Sequence, residues 1–564
     1  MMKSAYQILT RFSFPGWKTW ASSHNLIIHA YKKLLTPTHI PLILLLSNDS
    51  TTFTPKKKKK KDLQPMSSQN PHNNELLIFF FIILTILLLL FIFVIYFLKL
   101  RSRWCNCDIC HAYLTSSWTK DFKNLQDWYT FILRNSPTKT IHIHILNNTI
   151  TANPSNVEYM LKTNFNNYPK GKAFSMILSD LLGRGIFNVD GKSWRFQRKM
   201  ASLELDHMSI RSYGFDIVRE EIEERLLPML ASVAGKNDAV LDLQDVFRRF
   251  TFDVICRFSF GIDPECLELS LPMSKFANSF DLASKLSAER ALNVSPLIWK
   301  IKRAFNIGSE KQLRQAIQVV DTLANEVIRQ RRKLGFNNQN DLLSRFMLKV
   351  HDEGYLRDII VSFLLAGRDT VASALTGFFH LIGTHPAVAS KILEEADRVI
   401  GPGHGPAGLM KLREMHYLNA ATHEAMRLYP PVQFDSKFCL DDDVLPDGSF
   451  VRRGTRVTYH SYAMGRMEDM WGLDCKEFRP ERWLGGPNGV FLQECPFKYP
   501  VYQGGVRVCI GKEMSLMVVK SVILSTLREY LVKLAEPVWV SPIFSPGLTA
   551  NFQGGLPVLV HKKE

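Results

Sequence analysis

The sequence Tyr502-Gln-Gly-Gly-Val-Arg-Val-Cys509-Ile-Gly511 stands directly before an apolar segment, residues 512–531, that is predicted to be helical. A cysteine in a glycine-rich loop at this position has its thiolate stabilised by the N-terminus of the helix. Such a thiolate can be an axial haem ligand. Gly505 and Gly511 would let the backbone approach a macrocycle closely. A buried structural cysteine at a helix start would also explain the pattern, so other motifs in the chain are needed to distinguish the two interpretations.

Upstream of this loop, a long apolar helix predicted at residues 355–384 contains Ala366-Gly-Arg-Asp369-Thr370. Gly, Asp and Thr are poor residues for the middle of an apolar helix. A functional explanation is a local opening in which Thr370 hydrogen-bonds bound dioxygen and Asp369 helps to relay protons. The alternative is a kink that packs against another helix.

Three further segments carry charges at suggestive spacings. Glu424-Ala-Met-Arg427 places an acid and a base on one helix face. Pro480-Glu-Arg482-Trp offers a second arginine that could complete a buried triad with Glu424. In Trp194-Arg-Phe-Gln-Arg198, Arg198 could bind a haem propionate through a charge-assisted pair. Each of these charges could instead lie on a solvated surface.

Composition limits the class of protein. Of the 564 residues, 46% are hydrophobic and 22% are charged, which excludes a wholly disordered chain. The net charge of +17 would suggest a nucleic-acid partner, but residues 1–65 carry eleven Lys and Arg against two Asp. The basicity is therefore largely a property of the N-terminal segment, and we expect no nucleic-acid partner.

Residues 76–98 form an uncharged apolar run of 23 residues. As a helix this run would reach about 34 Å, enough to cross a bilayer core of about 30 Å. Lys99, Arg101 and Arg103 follow it, which favours a cytosolic location for residues 99–564, whereas the lysines at 56–61 oppose that orientation. We expect translation to begin at Met66 and residues 1–65 to be an extension of the gene model. A genuine targeting segment is the alternative.

Helical periodicity dominates the remainder, with helices predicted at residues 217–227, 311–334, 355–384 and 413–429. Strand patterns are fewer: residues 140–146, and a hairpin that turns at Pro446-Asp-Gly448 and runs to Tyr459. The sequence therefore predicts a mainly α domain with a minor β-sheet region, behind a single N-terminal transmembrane helix.

Taken together, the cysteine loop, the Pro-Glu-Arg block, the Glu-x-x-Arg helix and the Ala-Gly-x-Asp-Thr helix resemble the cytochrome P450 superfamily of haem-thiolate monooxygenases. The resemblance extends from about Leu76 to the C-terminus and implies the cytochrome P450 fold. Tyr502 departs from the pattern, because the superfamily usually has Phe there. The aromatic ring is kept, so we expect altered haem electronics at most.

The resemblance implies a role for each matching residue. Cys509 would ligate the iron of haem b, and Asp369 and Thr370 would act in oxygen activation. The other positions would hold the cofactor or the fold: Trp194, Arg198 and Arg507 beside the propionates, and Glu424, Arg427 and Arg482 as a structural triad.

Finer matches are similar to plant family 94, which hydroxylates the ω-ends of fatty acids and jasmonate conjugates. They are Pro430-Pro-Val-Gln-Phe-Asp-Ser-Lys437, Asp443-Val-Leu-Pro-Asp-Gly448 and Thr458-Tyr-His-Ser-Tyr-Ala-Met-Gly-Arg466. The C subfamily is most similar at Gln433-Phe434, Trp104-Cys-Asn-Cys-Asp-Ile-Cys110 and Lys170-Gly-Lys172. This resemblance implies oxidation of carbon 12 of jasmonoyl-isoleucine, or of its 12-hydroxy form, through the alcohol to the carboxylic acid. The alternatives are an ω-hydroxylase of fatty acids and, from another class, a non-catalytic membrane haem-binding protein.

By the same resemblance, apolar residues wall the pocket of an amphipathic carboxylate substrate: Phe174, Phe363, Val432, Phe434 and Leu548. Each of them could instead be ordinary core. We expect Lys172 to meet the substrate carboxylate. We expect Gln433 to hold the alcohol near the iron between oxidation steps.

Electrons must come from a partner, because the sequence has no Gly-x-Gly-x-x-Gly fingerprint between a strand and a helix. The resemblance implies NADPH–cytochrome P450 reductase, an acidic flavoprotein for which Lys199, Arg507 and Lys512 could form a basic docking face. It also implies one pass through the endoplasmic reticulum membrane, contact with membrane lipid and a cytosolic catalytic domain.

Nine cysteines at irregular spacing indicate a reducing compartment rather than a disulfide framework. Cys107-Asp-Ile-Cys110-His111 fits the c-type haem attachment pattern, but its predicted cytosolic position disfavours that chemistry. Cys105, Cys107, Cys110 and His111 could instead hold zinc, although their spacing is irregular. We interpret this segment as a loop that lies on the membrane.

Overall fold

The computed structural model describes residues 71–101, 105, 107–205, 208–236, 239–267, 275–293, 295–335, 341–402, 408–487, 489–535 and 542–563. The expectations for residues 1–65, Met66 and Trp104 lie outside these ranges. The chain divides into two units, residues 1–89 and 90–564. In the first unit, the described part is the beginning of the helix Pro71–Arg101. The second unit contains the other described elements.

The second unit is mainly helical, as predicted. Its longer helices are Leu125–Asn135, Gly171–Leu182, Gly191–Leu205, Met208–Glu221, Leu243–Phe260, Lys275–Leu292, Gly308–Leu334, Glu353–Leu364, Thr370–Ile382, Pro386–Val399, His416–Leu428 and Lys512–Glu529. Shorter helices are Asp108–Thr115, Pro154–Glu158, Leu227–Ala234, Pro296–Ala304, Leu342–Met347, Leu409–Glu414, Ser461–Met464 and Glu468–Trp471. Turns of 3-10 helix occur at Ser117–Lys120, His144–Leu146, Phe165–Asn167, Pro480–Trp483, Pro500–Tyr502 and Gly505–Arg507, and π-helical turns at Tyr159–Thr163, Ile222–Leu226 and Leu365–Asp369.

Side-chain caps fix where several of these helices begin. Asp242 accepts a hydrogen bond from the Gln244 backbone N–H, and Asp352 accepts one from that of Tyr355. Ser295 caps the helix Pro296–Ala304 in the same way. Each cap satisfies a backbone donor that the first helical turn leaves without a partner.

The β-structure is minor and consists of small sheets. The largest has four strands, in the order Thr140–Ile143, Asn148–Thr151, Arg456–Tyr459 and Asp435–Phe438, and its central pair is parallel, with Thr149 opposite Val457. A three-stranded antiparallel sheet contains Tyr530–Leu534, Pro557–Lys562 and Val240–Asp242. Three two-stranded ladders complete the set: Asp443–Val444 with Phe450–Val451, Leu484–Gly485 with Val490–Phe491, and Phe544–Ser545 with Asn551–Phe552.

Several predicted elements are interrupted in the structure. The helix predicted at 355–384 contains a π-helical turn, Leu365–Asp369, and the helix predicted at 413–429 is broken at Met415. Pro228 was expected to end or kink the helix predicted at 217–227; the chain instead stays helical past it, changing from the π-helical turn Ile222–Leu226 to the helix Leu227–Ala234, where Pro228 occupies the first turn. The predicted hairpin turns where expected, but Arg456–Tyr459 belongs to the four-stranded sheet.

Three hydrophobic clusters form most of the core. The first joins the helices Leu243–Phe260, Thr370–Ile382, His416–Leu428 and Lys512–Glu529. The second joins Lys275–Leu292, Gly308–Leu334 and Glu353–Leu364. The third lies against the four-stranded sheet. Because the helical segment 353–382 contributes to both the first and the second cluster, its π-helical turn lies at their junction.

The segment Leu77–Tyr96 is long and apolar enough to cross a membrane, with a mean hydropathy of 3.5. Its side chains from Leu77 to Ile95 are exposed. An apolar helix exposed on every face is a candidate membrane span, as the sequence predicted. The segment Glu353–Ile382 meets the same criteria of length and composition, but its most apolar part is mostly buried, as in a core helix.

Candidate active site

The cysteine loop is a chain of tight turns that ends at the helix Lys512–Glu529. Its fold is closed by the Cys509 backbone N–H, which donates to the Tyr502 carbonyl at 2.8 Å. Gly505 has φ +59°, and a Cβ on it would lie 2.1 Å from the Leu161 carbonyl oxygen. Gly505 is therefore required by its close approach to neighbouring backbone, a reason different from the approach to a macrocycle that we expected.

Cys509 lines an internal cavity of about 320 Å³ and has accessible surface there. Burial raises the pKa of the Cys509 thiol, against the opposing effects of the Gly511 backbone N–H, Arg198 and Lys512. The helix terminus predicted to favour the thiolate thus acts in the expected direction but does not outweigh desolvation. A metal ion at the sulphur would reverse this balance, because a coordinating thiol is deprotonated outright.

The same cavity is lined by residues that lie far apart in the sequence. Predicted site residues among them are Trp194, Arg198, Phe363, Thr370, Val432, Arg507 and Cys509. Most of the other lining side chains are apolar, contributed by both large hydrophobic clusters. An apolar cavity with a few convergent polar groups is the usual form of a small-molecule or cofactor site.

Thr370 follows the π-helical turn, and its Oγ1 donates to the Ala366 carbonyl at 2.6 Å. Ala366, Gly367 and Thr370 line the cavity. A Cβ on Gly367 would lie 2.3 Å from Cδ1 of Ile255, so this turn also packs tightly against the helix Leu243–Phe260. Both interpretations of the sequence pattern, a local opening and a kink packed on a neighbour, therefore describe part of the geometry. Turns of this type are frequent at functional sites.

Asp369 is buried beside the cavity rather than in its lining. Its Oδ1 accepts from Arg368 Nη1 at 2.9 Å, and the same nitrogen donates to Asp281 Oδ1 at 2.5 Å. Burial raises the pKa of Asp369 to about 6, against the attraction of Arg368. A carboxyl group with this pKa can change its protonation state near neutral pH.

Glu424, Arg427 and Arg482 meet in a closed ionic cluster, which we call the Glu424 cluster. Arg427 donates to the two Glu424 oxygens at 2.7 and 2.8 Å, and Arg482 Nε donates to Oε1 at 3.0 Å. The Trp483 indole and the Arg479 backbone N–H donate to the same carboxylate at 2.9 and 3.0 Å. The remaining Arg427 nitrogen donates to the carbonyls of Gly465 and Cys475. Glu424 and Arg427 are buried and fully paired, as a structural role requires.

A second charged group, which we call the basic cluster, lies in the cavity lining and consists of Lys170, Arg198, Lys437 and Arg507. Lys170 and Lys437 share Asp435, at 2.5 and 2.6 Å. Arg507 pairs with Asp190 at 2.5 Å and stacks on Trp194, 4.6 Å from the ring centroid. Arg198 donates to the Val508 carbonyl.

In the sequence, Lys437 and Lys170 appear only within family patterns, and neither was predicted to belong to the site. Lys437 lies in the strand Asp435–Phe438 and is fully buried. Burial lowers the pKa of Lys437 to about 7, against the attraction of Asp435. A lysine and an aspartate within a buried strand were the available signal, because charged residues are almost never buried unless they are paired.

The basic cluster fits a haem group. It brings four cations to the cavity lining against the two carboxylates that pair with them, which leaves positive charge for two propionates. Nε of Arg507 is buried and lacks a hydrogen-bond partner within the described chain, so its N–H can donate to an anion. Cys509 lines the same cavity and supplies a thiolate ligand.

Two of the predicted pocket residues, Phe363 and Val432, line the cavity. The other two phenylalanines lie elsewhere in the described chain: Phe174 lies under Lys170 Nζ, 4.3 Å from its ring centroid, and Phe434 stacks on His460 at 5.8 Å. Leu548 packs against the second hydrophobic cluster, as do Phe174 and Phe363. The apolar set is therefore divided between the cavity lining and the layer behind it.

The two polar residues assigned to the substrate lie outside the lining as well. Lys172 is exposed on the helix Gly171–Leu182. Gln433 is buried, and its Oε1 accepts from Gln126 Nε2 at 2.7 Å, while its own Nε2 has no partner among the described residues. Of the proposed docking residues, Lys199 is exposed and Lys512 half-buried, whereas Arg507 faces the cavity.

The residues that line this cavity all lie within the part of the chain that is similar to known proteins. The family model Cytochrome P450 matches residues 122–552. Cytochrome P450 94C1 of Arabidopsis thaliana is 59% identical over 477 residues, which are 84% of this chain and 96% of that protein. Cytochrome P450 94B1 of Arabidopsis thaliana is 45% identical over 79% of this chain and 89% of its own length. Cytochrome P450 94A1 of Vicia sativa is 42% identical over 79% of this chain and 88% of its own length.

These matches confirm the predicted fold, haem-thiolate cofactor and enzyme class, and they favour a monooxygenase over a non-catalytic haem-binding protein. They also confirm the resemblance to plant family 94. The chain therefore belongs to the cytochrome P450 family, whose members are haem-thiolate monooxygenases that receive NADPH electrons through a reductase.

Proposed function

We propose that the protein oxidises carbon 12 of jasmonoyl-isoleucine or its 12-hydroxy form, through the alcohol to the carboxylic acid. The observation that carries this proposal is the gradient of identity within family 94: 59% to cytochrome P450 94C1, against 45% to 94B1 and 42% to 94A1. The gradient agrees with the C-subfamily resemblance at Gln433-Phe434 and Lys170-Gly-Lys172.

Cys509, Trp194, Arg198 and Arg507 are proposed to hold the haem, together with Lys437. When bound, the haem supplies the oxygen chemistry, which an axial thiolate promotes by donating electron density. The protein contributes binding and electrostatics. Cys509 would ligate the iron, and the basic cluster would neutralise the propionates.

Thr370 and Asp369 are proposed to manage protons. The Thr370 hydroxyl gives its hydrogen to the Ala366 carbonyl, which leaves its oxygen lone pairs to accept a hydrogen bond in the cavity. Asp369, with a pKa near neutrality, lies one residue away and is held by Arg368. In this arrangement Thr370 would accept a hydrogen bond within the cavity, and Asp369 would serve as a proton reservoir next to it.

We assign the apolar chain of the substrate to the cavity wall that contains Phe363 and Val432. Lys172 remains the candidate for the carboxylate, since it is exposed on a helix that begins next to Lys170 of the cavity lining. Gln433 remains the candidate for the alcohol, because its Nε2 is buried without a partner in the described chain. The Michaelis constant of Lys172→Ala and the ratio of acid to alcohol formed by Gln433→Leu test these two assignments.

A competition assay tests the substrate. Microsomes containing the protein and a cytochrome P450 reductase receive equimolar jasmonoyl-isoleucine and lauric acid, and products are quantified by mass spectrometry. We expect 12-hydroxy and 12-carboxy jasmonoyl-isoleucine as the main products. Rapid turnover of lauric acid with no 12-oxidised conjugate would instead assign the protein as a fatty-acid ω-hydroxylase, the second function implied by family 94.

The location is proposed to be the endoplasmic reticulum membrane, with residues 99–564 in the cytosol. The exposed apolar segment Leu77–Tyr96 supports membrane anchoring. Lys199 and Lys512 are proposed to contribute to reductase docking. Protease treatment of intact microsomes should digest the catalytic domain, and protection of that domain would contradict the orientation.

A further inference from the structure

Three cysteines that the monooxygenase site does not use converge near the start of the second unit. The Sγ atoms of Cys105, Cys107 and Cys110 all lie within 4.8 Å of one another. Cys110 is fully buried, and Cys105 and Cys107 are half-buried. All three pack against the third hydrophobic cluster, remote in sequence from Cys509.

At residues 107–111, the structure differs from the predicted loop. The spacing of the cysteines in the sequence is irregular for a metal site, and we predicted a loop on the membrane. In the structure, Cys107 instead caps the helix Asp108–Thr115, with φ −72° and ψ 150°, and its side chain makes no capping hydrogen bond. Its sulphur lies by the backbone N–H groups of Ile109 and Cys110 and by the other two cysteines, at the positive end of a helix dipole, where a thiolate is stabilised.

The separations suit a metal ion better than a disulfide. With Zn–S bonds of about 2.3 Å and tetrahedral angles, two sulphurs lie about 3.8 Å apart. A disulfide needs about 2.05 Å between two sulphurs and would leave the third unused. The upper limit of 4.8 Å on the observed separations is compatible with that spacing, and all three cysteines are free of disulfides.

We propose that Cys105, Cys107 and Cys110 bind a zinc ion through three thiolates. Binding forms three Zn–S bonds and releases three thiol protons to solvent, so that no oxidant or reductant is needed. His111 follows Cys110 but does not belong to the converging group, and the fourth position is left to water. Three protein ligands with an open fourth position form a recognised type of zinc site.

Zinc titration of the purified full-length holoprotein tests the site. The protein is first treated with a chelator, and Zn²⁺ is then added in competition with a chromophoric indicator. We expect one equivalent of zinc per haem. The double variant Cys105→Ser/Cys107→Ser should weaken binding by about 100-fold or more, since two of three ligands are lost. The control is Cys495→Ser, which removes an exposed free cysteine outside the group and should leave binding unchanged.

A second measurement needs no variant. Co²⁺ added to the chelator-treated protein should give the sulphur-to-cobalt charge-transfer absorption of a thiolate site, and Zn²⁺ should abolish it. The haem absorption, recorded separately, verifies that each sample is folded. Binding that is equal in the double variant, cobalt without charge-transfer absorption, or a disulfide within this group in freshly purified protein would overturn the proposal.

Discussion

The Glu424 cluster and the basic cluster are both groups of charged side chains in the protein interior. They differ in whether their hydrogen-bonding groups are all paired within the described chain. In the Glu424 cluster, five N–H groups converge on one carboxylate, and the guanidinium of Arg427 is bonded on every nitrogen. In the basic cluster, cations outnumber carboxylates and Arg507 Nε has no partner among the described residues. A closed network stabilises the fold, whereas an open one in a cavity is suited to an anionic ligand.

The largest effect is expected from opening the closed network. Arg427→Ala removes the main partner of a carboxylate that is 0% exposed, and it should lower the free energy of unfolding by about 3–5 kcal/mol. Urea denaturation of the holoprotein, or its folded yield if none survives, measures this. Lys411→Ala, which breaks an exposed pair with Glu414, is the control and should cost less than about 1 kcal/mol. Equal effects of the two substitutions would contradict the structural role.

A smaller effect is expected in the basic cluster. Lys437→Met should fold, because Asp435 keeps Lys170 as a partner, but haem should leave the protein about tenfold faster. Haem transfer to an excess of an apo-acceptor protein measures this rate. The matched control is Lys520→Met, which also removes a buried lysine, bonded to the Leu412 carbonyl and outside the cavity lining. Faster haem loss in both variants would indicate a general loss of stability.

Lys437→Met should also change the way haem affinity depends on pH. With a folded-state pKa of about 7, Lys437 of the haem-free protein loses its proton as the pH rises above neutrality. Haem binding that requires the charged amine must then take up a proton, so the contribution of Lys437 to haem affinity should fall between pH 7 and pH 9, against the rise that comes from release of the Cys509 proton. This fall should be reduced in Lys437→Met. A pH dependence identical to that of the unmodified protein would separate Lys437 from the propionates.

The smallest effect on the fold is expected at Thr370. Thr370→Ala removes a hydroxyl that lines the cavity and should raise the peroxide formed per NADPH severalfold, with little change in stability. Thr376→Ala is the matched control, because Thr376 donates to the Ala372 carbonyl in the same way but is buried in the core. Equal coupling in the two variants would count against a role of Thr370 with oxygen.

Much of the Glu424 cluster and several residues of the cavity could be predicted from the sequence. Glu424 and Arg427 stand one helical turn apart, and Arg482 follows a turn-forming Pro-Glu, so the triad needed no long-range information beyond the family pattern. Cys509, Thr370, Arg198 and Arg507 were identified by motifs, and the structure brings all four to one cavity. The mainly helical fold followed from its periodicity.

Other features depended on tertiary packing. Lys437 was overlooked because its charge matters only once the strand Asp435–Phe438 is placed against Lys170. The π-helical turn at Leu365–Asp369 lies where Gly367 packs closely against Ile255, a tertiary contact that helix propensity cannot report. Gln433 bonds to Gln126, and Phe434 stacks on His460. No sequence pattern pairs these residues with each other.

The ligand assignment is tested most directly by the spectrum of the reduced carbon monoxide complex of Cys509→Ser, compared with that of the unmodified protein. We expect a thiolate-type spectrum for the unmodified protein and its loss in Cys509→Ser. Cys495→Ser, which alters an exposed cysteine outside the cavity lining, should retain the spectrum. A thiolate-type spectrum that survives in Cys509→Ser would contradict the assignment of Cys509 as the haem ligand.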